Sequence, residues 1–202
     1  GYYNVFVGEA AGILNTTGPG NTFVGAASGY NNSTGSYNAF FGRDAGVSNT
    51  TGSFNTFIGR EAGRSHTTGT ENTYIGQKAA YFSTTGVSNT AVGSNSLYLN
   101  KIAGGNTAVG AYALRDNNSS GNAAPDGTKN TAVGFMAGRQ NTSGFQNTFI
   151  GHSSGYQNGG GIDNTFLGFN AGYKGGTQEN TFTGSYAGYN NTSGQNSFYG
   201  AY

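Results

Sequence analysis

The chain has 202 residues, of which 38 are glycine and none is cysteine, and its formal net charge is +1. Charged residues make up only 8% of the chain, against about 25% in typical globular domains, while aromatic residues reach 14%, which is too many for a disordered segment. The scattered basic residues form no stripe suited to nucleic acid, no apolar run is long enough to cross a bilayer, and the lack of cysteine excludes disulfides and thiolate metal sites.

A repeat that begins with asparagine runs from the first residues to the last. Each copy reads Asn, a second residue that is Thr in nine copies, two largely apolar residues, and an invariant glycine. Successive copies are separated by 17 residues six times and then by 24, 17, 17, 16 and 16. The copies begin at Asn4, Asn21, Asn38, Asn55, Asn72, Asn89, Asn106, Asn130, Asn147, Asn164, Asn180 and Asn196. A fixed period of this length is the signature of a solenoid.

Each repeat unit contains one clear strand signal and two turn signals. Counting from the anchor asparagine, the β-branched and aromatic residues at positions 2 to 4 favour a strand. Positions 8 to 10, often Ala-Gly-Tyr, are a candidate second strand or bend, and turns such as Asn49-Thr50-Thr51-Gly52 follow. We therefore predict an all-β protein, a parallel β-roll or β-solenoid of about twelve 17-residue coils stacked at about 4.8 Å, with residues 1–202 as a single array.

The anchor asparagines and the glycines that follow them have structural roles in this prediction. Asparagine tolerates unusual φ angles and bonds its own backbone, so the anchors should form a hydrogen-bonded ladder or cap tight turns. The residues chosen for this ladder are Asn21, Asn38, Asn55, Asn72, Asn147 and Asn164. The corresponding turn glycines are Gly25, Gly42, Gly59, Gly76, Gly151 and Gly168.

The strand of each unit has two apolar faces. Side chains alternate along a strand, so Thr22 and Val24 should point one way and Phe23 the other. Because both position 3 and position 4 are apolar, one ladder should fill the core of the coil and the other should pack against sister chains; the alternative is a wide coil whose second sheet covers the aromatics. The candidate subunit interface is Phe23, Phe40, Phe57, Tyr74, Phe149, Phe166 and Phe182.

The copy that starts at Asn106 is seven residues longer than its neighbours. The extra residues lie within 115–129, and repeat arrays place such insertions in loops on one face. This loop is either a tolerated surface loop or a contact site for a partner, a neighbouring subunit or a carbohydrate. Its candidate contact residues are Asp116, Asn117, Asn118 and Asp126.

Sequence features that could carry catalysis or bind metal are weak. Gly151-His152-Ser153-Ser154-Gly155 fits the nucleophile-elbow pattern, but both glycines are ordinary repeat positions and the elbow needs a strand-to-helix turn. His66 is the only other histidine, and the sparse acids form no alternating calcium loop. We expect no enzyme activity, no catalytic or metal site and no cofactor.

The segments Asn89-Thr90-Ala91-Val92-Gly93 and Asn106-Thr107-Ala108-Val109-Gly110 resemble the head repeats of YadA-like trimeric autotransporter adhesins. Similar repeats occur in phage tail-fibre-like proteins and in bacterial surface proteins. The resemblance covers the whole chain at the level of the repeat and implies a left-handed β-roll, three chains to a head, outside the cell. This chain departs from the family in its 17-residue unit, against about 14, and in the Phe at most third positions.

The sequence leaves three functions open. The first is an extracellular fibre or adhesin segment at the cell surface, associated as a homo-oligomer, with a carbohydrate or host surface as a further partner. Because both ends stop within a repeat, stacking end to end into a filament is a natural extension. The second is an ice-binding solenoid that uses the position-2 threonines, and the third is a phage-type tail fibre or tail-spike that binds polysaccharide.

Overall fold

A computed structural model describes residues 1–121 and 126–201 and shows one parallel β-sheet. Its twelve strands follow one another in chain order, each paired with the next. Every strand covers positions 2 to 4 of a repeat, where the β-branched and aromatic residues lie. The strands are β1 Val5–Val7, β2 Thr22–Val24, β3 Ala39–Phe41, β4 Thr56–Ile58, β5 Thr73–Ile75, β6 Thr90–Val92, β7 Thr107–Val109, β8 Thr131–Val133, β9 Thr148–Ile150, β10 Thr165–Leu167, β11 Thr181–Thr183 and β12 Ser197–Tyr199.

The strands stack in strict register, so that equivalent positions of successive repeats are neighbours. Phe23, for example, lies opposite Phe40, which lies opposite Phe57. The predicted parallel β-solenoid is confirmed, with about eleven complete turns rather than twelve, because the copy from Asn196 contributes a strand but only residues 196–202. No helix occurs in residues 1–121 or 126–201.

The rest of each unit is turns that are also bonded from coil to coil. Positions 7 to 10 form turns, so of the two predicted alternatives the bend is observed and the second strand is not. The backbone N–H of Gly29 donates to the carbonyl of Ala45 at 2.9 Å, and that of Ser33 donates to Thr50 at the same distance. The ladder of inter-coil hydrogen bonds therefore continues around the coil, and backbone groups that three-residue strands would leave unpaired are satisfied.

The core of the solenoid is the column of aromatic rings at position 3. Phe23, Phe40 and Phe57 are fully buried, and their ring centroids lie 4.9 and 4.6 Å apart in parallel stacks. The prediction that the position-3 aromatics form a subunit interface is therefore wrong, because each ring turns inward over its own coil. This correction applies to Phe23, Phe40, Phe57, Tyr74, Phe149, Phe166 and Phe182, all with 0% exposure.

Glycine at position 9 makes room for the core phenylalanine rings. A Cβ at Gly29 would lie 2.5 Å from the ring of Phe23, closer than real contacts allow. In the sixth and seventh repeats the core residue is Ala91 or Ala108, and position 9 is instead Leu97 or Leu114, all fully buried. In these two repeats a large residue at position 9 is thus matched by a small one at position 3, which keeps the interior close-packed.

Candidate interaction surface

The anchor asparagines form an unbroken column of hydrogen bonds inside the solenoid. The Oδ1 atom of Asn21 accepts the backbone N–H of Asn38 at 3.0 Å, and the Nδ2 atom of Asn38 donates to the carbonyl of Gly52 at 2.8 Å. The same N–H to Oδ1 bond joins every successive pair of anchors, including Asn106 to Asn130 across the long repeat. From Asn21 to Asn180 the anchor side chains are buried and hydrogen-bonded to the backbone, so this column holds the coils together.

A second asparagine column at position 12 lies on the other side of the same turn. Asn49 Nδ2 donates to Asn32 Oδ1 at 2.7 Å and to the carbonyl of Gly52 at 3.0 Å. The Gly52 carbonyl therefore accepts from both columns. From the sequence, a hydrogen-bonded ladder was predicted only for the anchors, although Asn15, Asn32 and Asn49 also recur every 17 residues and so indicate the second column.

His66 and Ser83 interrupt the position-12 column. His66 Nε2 lies 3.0 Å from the Gly69 carbonyl, and its imidazole packs edge-on against the rings of Phe57 and Tyr74. Burial lowers the pKa of His66 to about 4, and its hydrogen bond to Gly69 opposes this shift only in part. The hydroxyl of Ser83 lies 3.1 Å from that of Tyr74, whose pKa burial raises far above its usual value. His66 and Ser83 therefore take the place of asparagine inside the coil, where each contacts the aromatic core.

Two of the four predicted contact residues of the long repeat are interior residues. Asn117 is buried and continues the position-12 column, donating to Asn100 Oδ1 and to the Gly127 carbonyl, each at 2.7 Å. Asn118 is also buried, and its Nδ2 donates to the carbonyl of Asp126 at 3.1 Å. The prediction that Asn117 and Asn118 contact a partner is wrong, because the fold uses both to close the insertion onto the coil.

The remaining predicted contacts of the long repeat lie at its margin. Asp116 is half-buried and pairs with Arg115 at 2.6 Å, and Asp126 is half-buried beside the loop. Residues 122–125 of the predicted loop lie outside the described residues.

The elbow-like motif has no catalytic geometry. Ser153 is buried in a turn, Ser154 donates to the carbonyl of Phe166 at 2.9 Å, and His152 is exposed between the rings of Phe135 and Phe169. His66 is buried five repeats away. Within the described ranges, no group of three or more His, Asp or Glu side chains could hold a metal ion.

The outward side of the sheet is an uncharged surface that runs the length of the solenoid. We call it the outer face; it consists of the first and third residues of the twelve strands, positions 2 and 4. The first residue is Thr in nine strands and half-buried in most, and the third is aliphatic or aromatic in all but Thr183. Ile58 and Ile150 are typical of the third residue, with 39% and 38% of their surface exposed. The apolar ladder that lies outside the core is therefore the largely aliphatic one at position 4.

The strip beside the outer face differs between the two halves of the molecule. At position 6 the third and fourth repeats carry Arg43 and Arg60, which pair with Asp44 and Glu61 at 3.3 and 3.6 Å. Across the eighth to tenth repeats the same position carries aromatic rings. There the outer face widens into an apolar patch, which consists of Val133, Ile150, Leu167, Phe135 and Phe169, each between 38% and 44% exposed. Exposed apolar patches rimmed by polar residues mark interaction surfaces.

No known protein family, characterised protein or solved structure compared with the chain matches it. Among residues 1–121 and 126–201, no helix is long and apolar enough to span a membrane.

Proposed function

We propose that this chain is a structural segment of an extracellular fibre or adhesin, which packs laterally against copies of itself through the outer face. One observation carries the proposal. The position-3 rings already fill the core, so the aliphatic ladder of the third strand residues is left half-exposed along every coil. Covering that ladder with a sister chain would remove apolar surface from water without desolvating a charged group, because the outer face holds none.

The apolar patch is the centre of the proposed contact. Burying apolar surface contributes roughly 25 cal/mol per Å², so a continuous ladder over many coils can hold an assembly together without buried ion pairs. A cyclic arrangement in which equivalent faces meet is the usual form of a homo-oligomer. A trimer, as the resemblance to adhesin heads implies, would place three outer faces around one axis.

The assembly is tested by a charge placed in the patch. Ile150→Lys should convert the oligomer to monomer in sedimentation velocity, because a lysine would be buried without a partner in the interface. Gln157→Lys, an exposed position in the same repeat, serves as the matched control and should leave the oligomer intact. A wild-type protein that sediments as a monomer at its highest soluble concentration would contradict the proposal, provided that circular dichroism shows the same fold in all three proteins.

The extracellular location has a separate test. Intact cells that express the gene should show the repeat array on their surface to an antibody or to added protease, whereas a cytoplasmic enzyme expressed in the same cells should stay protected. Protection of the array in intact cells would exclude the fibre and leave only the oligomerisation to be explained.

Ice binding is a second candidate, favoured by the threonine column. Thr73, Thr90 and Thr107 lie in register on the outer face, at the strand spacing of about 4.8 Å, next to the aliphatic column. A flat, regular array of hydroxyl and methyl groups can order water. Thermal hysteresis in a cooling assay that Thr90→Lys abolishes and Gln157→Lys does not would support this function; freezing at the colligative point would exclude it.

A further inference from the structure

In the ninth to eleventh repeats, position 10 carries tyrosines whose rings stack in a column. These rings belong neither to the core nor to the outer face. Tyr156 and Tyr173 have ring centroids 4.9 Å apart with planes 2° from parallel, and Tyr173 and Tyr189 are 5.0 Å apart at 13°. We call these three residues the tyrosine column. Earlier along the same line, Tyr81 and Tyr98 form a looser pair at 5.4 Å and 24°.

The tyrosine column lies at the surface and has a defined end. All three residues are half-buried, so each is partly accessible to solvent. The guanidinium of Arg139 lies 5.5 Å above the Tyr156 ring centroid and also donates a hydrogen bond to its hydroxyl. Burial, and then the neighbouring phenols of Tyr156 and Tyr189, raise the pKa of Tyr173.

We propose that the tyrosine column is a site of oxidative cross-linking, in which neighbouring tyrosines of successive coils are joined by a carbon–carbon bond. The ring centroids of Tyr156 and Tyr173 are 4.9 Å apart in one chain, so coupling of the two phenols is an intramolecular reaction. Its high effective concentration favours it over coupling between chains. The partly exposed rings can swing about their Cα–Cβ bonds to bring the carbons next to the hydroxyls together. In a chain without cysteine, such bonds would take the place of disulfides.

The reaction needs a one-electron oxidant, and we name a haem peroxidase with hydrogen peroxide. Each of two phenols loses one electron and one proton to give a phenoxyl radical. The radicals couple between their ortho carbons, and the two ortho hydrogens then move to the oxygens to restore the aromatic rings. The hydrogen peroxide takes up the two electrons and two protons and leaves as two molecules of water. The chain therefore loses two hydrogen atoms for each bond formed.

A bond in the tyrosine column would fasten the coils to one another. Solenoids open by fraying from an end, since each coil is held mainly by its neighbours. A link from Tyr156 to Tyr173 would close a loop of one repeat and reduce the freedom of the unfolded chain, as a disulfide does. The proposal does not depend on lateral assembly, because both linked residues belong to one chain.

The experiment treats the full chain, diluted, with peroxidase and limiting hydrogen peroxide. The expected product has the size of the starting chain, is lighter by the mass of two hydrogen atoms per link, shows dityrosine fluorescence, and unfolds at a higher temperature. Peptide mapping should place links between Tyr156 and Tyr173 or between Tyr173 and Tyr189. Mapping is needed because Tyr189 also lies 5.6 Å from Tyr186, at a plane angle of 47°.

Two variants decide the outcome. Tyr173→Phe keeps the stacked ring but removes the hydroxyl needed to form the radical, so intrachain fluorescence should fall by at least about half, in line with loss of both column pairs. Tyr30→Phe is the matched control at the same repeat position, where the neighbours in the column are Ile13 and Val47, and it should change nothing. Links confined to other tyrosines or between chains, or an undiminished intrachain yield from Tyr173→Phe, would overturn the proposal.

Discussion

The Oδ1 atom of Asn49 and the Nδ1 atom of His66 are buried in successive coils of one column, and neither has a hydrogen-bond partner. The Nδ2 atom of Asn49 donates to the Oδ1 atom of Asn32, which lies in the preceding coil, at 2.7 Å. His66 keeps the bond to the turn glycine through Nε2 but offers Asn49 no donor. The hydrogen-bonded column is thus broken between Asn49 and His66, and two buried acceptors are left unpaired, which is unfavourable.

Restoring the column should stabilise the protein. His66→Asn recreates the third repeat, where Phe40 and Asn49 share the same positions. We expect a gain of about 1–2 kcal/mol, because one buried acceptor regains a donor. Thermal unfolding measures it, with Ser83→Asn as the control in the same column. That control should destabilise the protein, because the Tyr74 hydroxyl occupies the space next to Ser83. A lower melting temperature for His66→Asn would contradict the assignment of the orphaned atoms.

Stability should fall at mildly acidic pH. The pKa of His66 is about 4 in the folded chain against 6.5 in the unfolded chain, so the unfolded state binds the proton first. Stability is therefore full above pH 6.5, declines as the pH falls towards 4, and loses about 3 kcal/mol in all through this group.

Chemical denaturation at pH 7 and pH 4.5 tests this prediction. The same two measurements on His66→Asn should show a smaller loss, since the remaining carboxylates titrate in both proteins. An equal loss in the two proteins would show that His66 does not carry the effect.

The invariant glycine after each strand should not tolerate a side chain. Gly25 has φ of +136°, and a Cβ there would lie 2.6 Å from the carbonyl group of Gly42 in the next coil. Gly25→Ala should therefore cost about 3 kcal/mol or more, since it combines a forbidden conformation with a backbone clash. Gly159→Ala is the control: its φ is +58°, nothing lies within 4 Å of the added Cβ, and the loss should be about 1–2 kcal/mol. Equal losses measured by denaturant unfolding would refute the role of coil stacking.

The exchange of volume between positions 3 and 9 predicts a strong coupling between Ala91 and Leu97. Leu97→Gly alone should cost about 3 kcal/mol or more through the cavity, and Ala91→Phe alone about 1–3 kcal/mol through overpacking. The double variant has the Phe and Gly pair of the second repeat, Phe23 and Gly29, and a ring at position 91 would lie over Tyr74. Its loss of stability should be smaller, by about 2 kcal/mol or more, than the sum of the losses of the two single variants. Additive losses in the four unfolding free energies would mean that the two side chains do not share one space.

The strands were predictable because each depends on local sequence. Positions 2 to 4 are mostly β-branched or aromatic, and Gly25 and its equivalents end each strand, so β1–β12 fall where the pattern indicates. Asn117 was predictable, since it lies 17 residues after Asn100 at position 12. The interior role of Asn118 was not predictable from the repeat alone, because the carbonyl to which it bonds, that of Asp126, lies eight residues further on across the insertion. A loop of that length can close in many ways, and only packing against the adjacent coils selects one.

The sequence by itself determined the period, the parallel register and the alternation of faces, since a 17-residue repeat brings equivalent side chains next to one another. It did not determine which apolar ladder is inside, because Phe23 and Val24 are both apolar and alternation says only that they point apart. The tertiary structure decided that. The chain curls towards the side where Gly29 leaves space for the ring of Phe23, and Val24 is left half-exposed on the outer face.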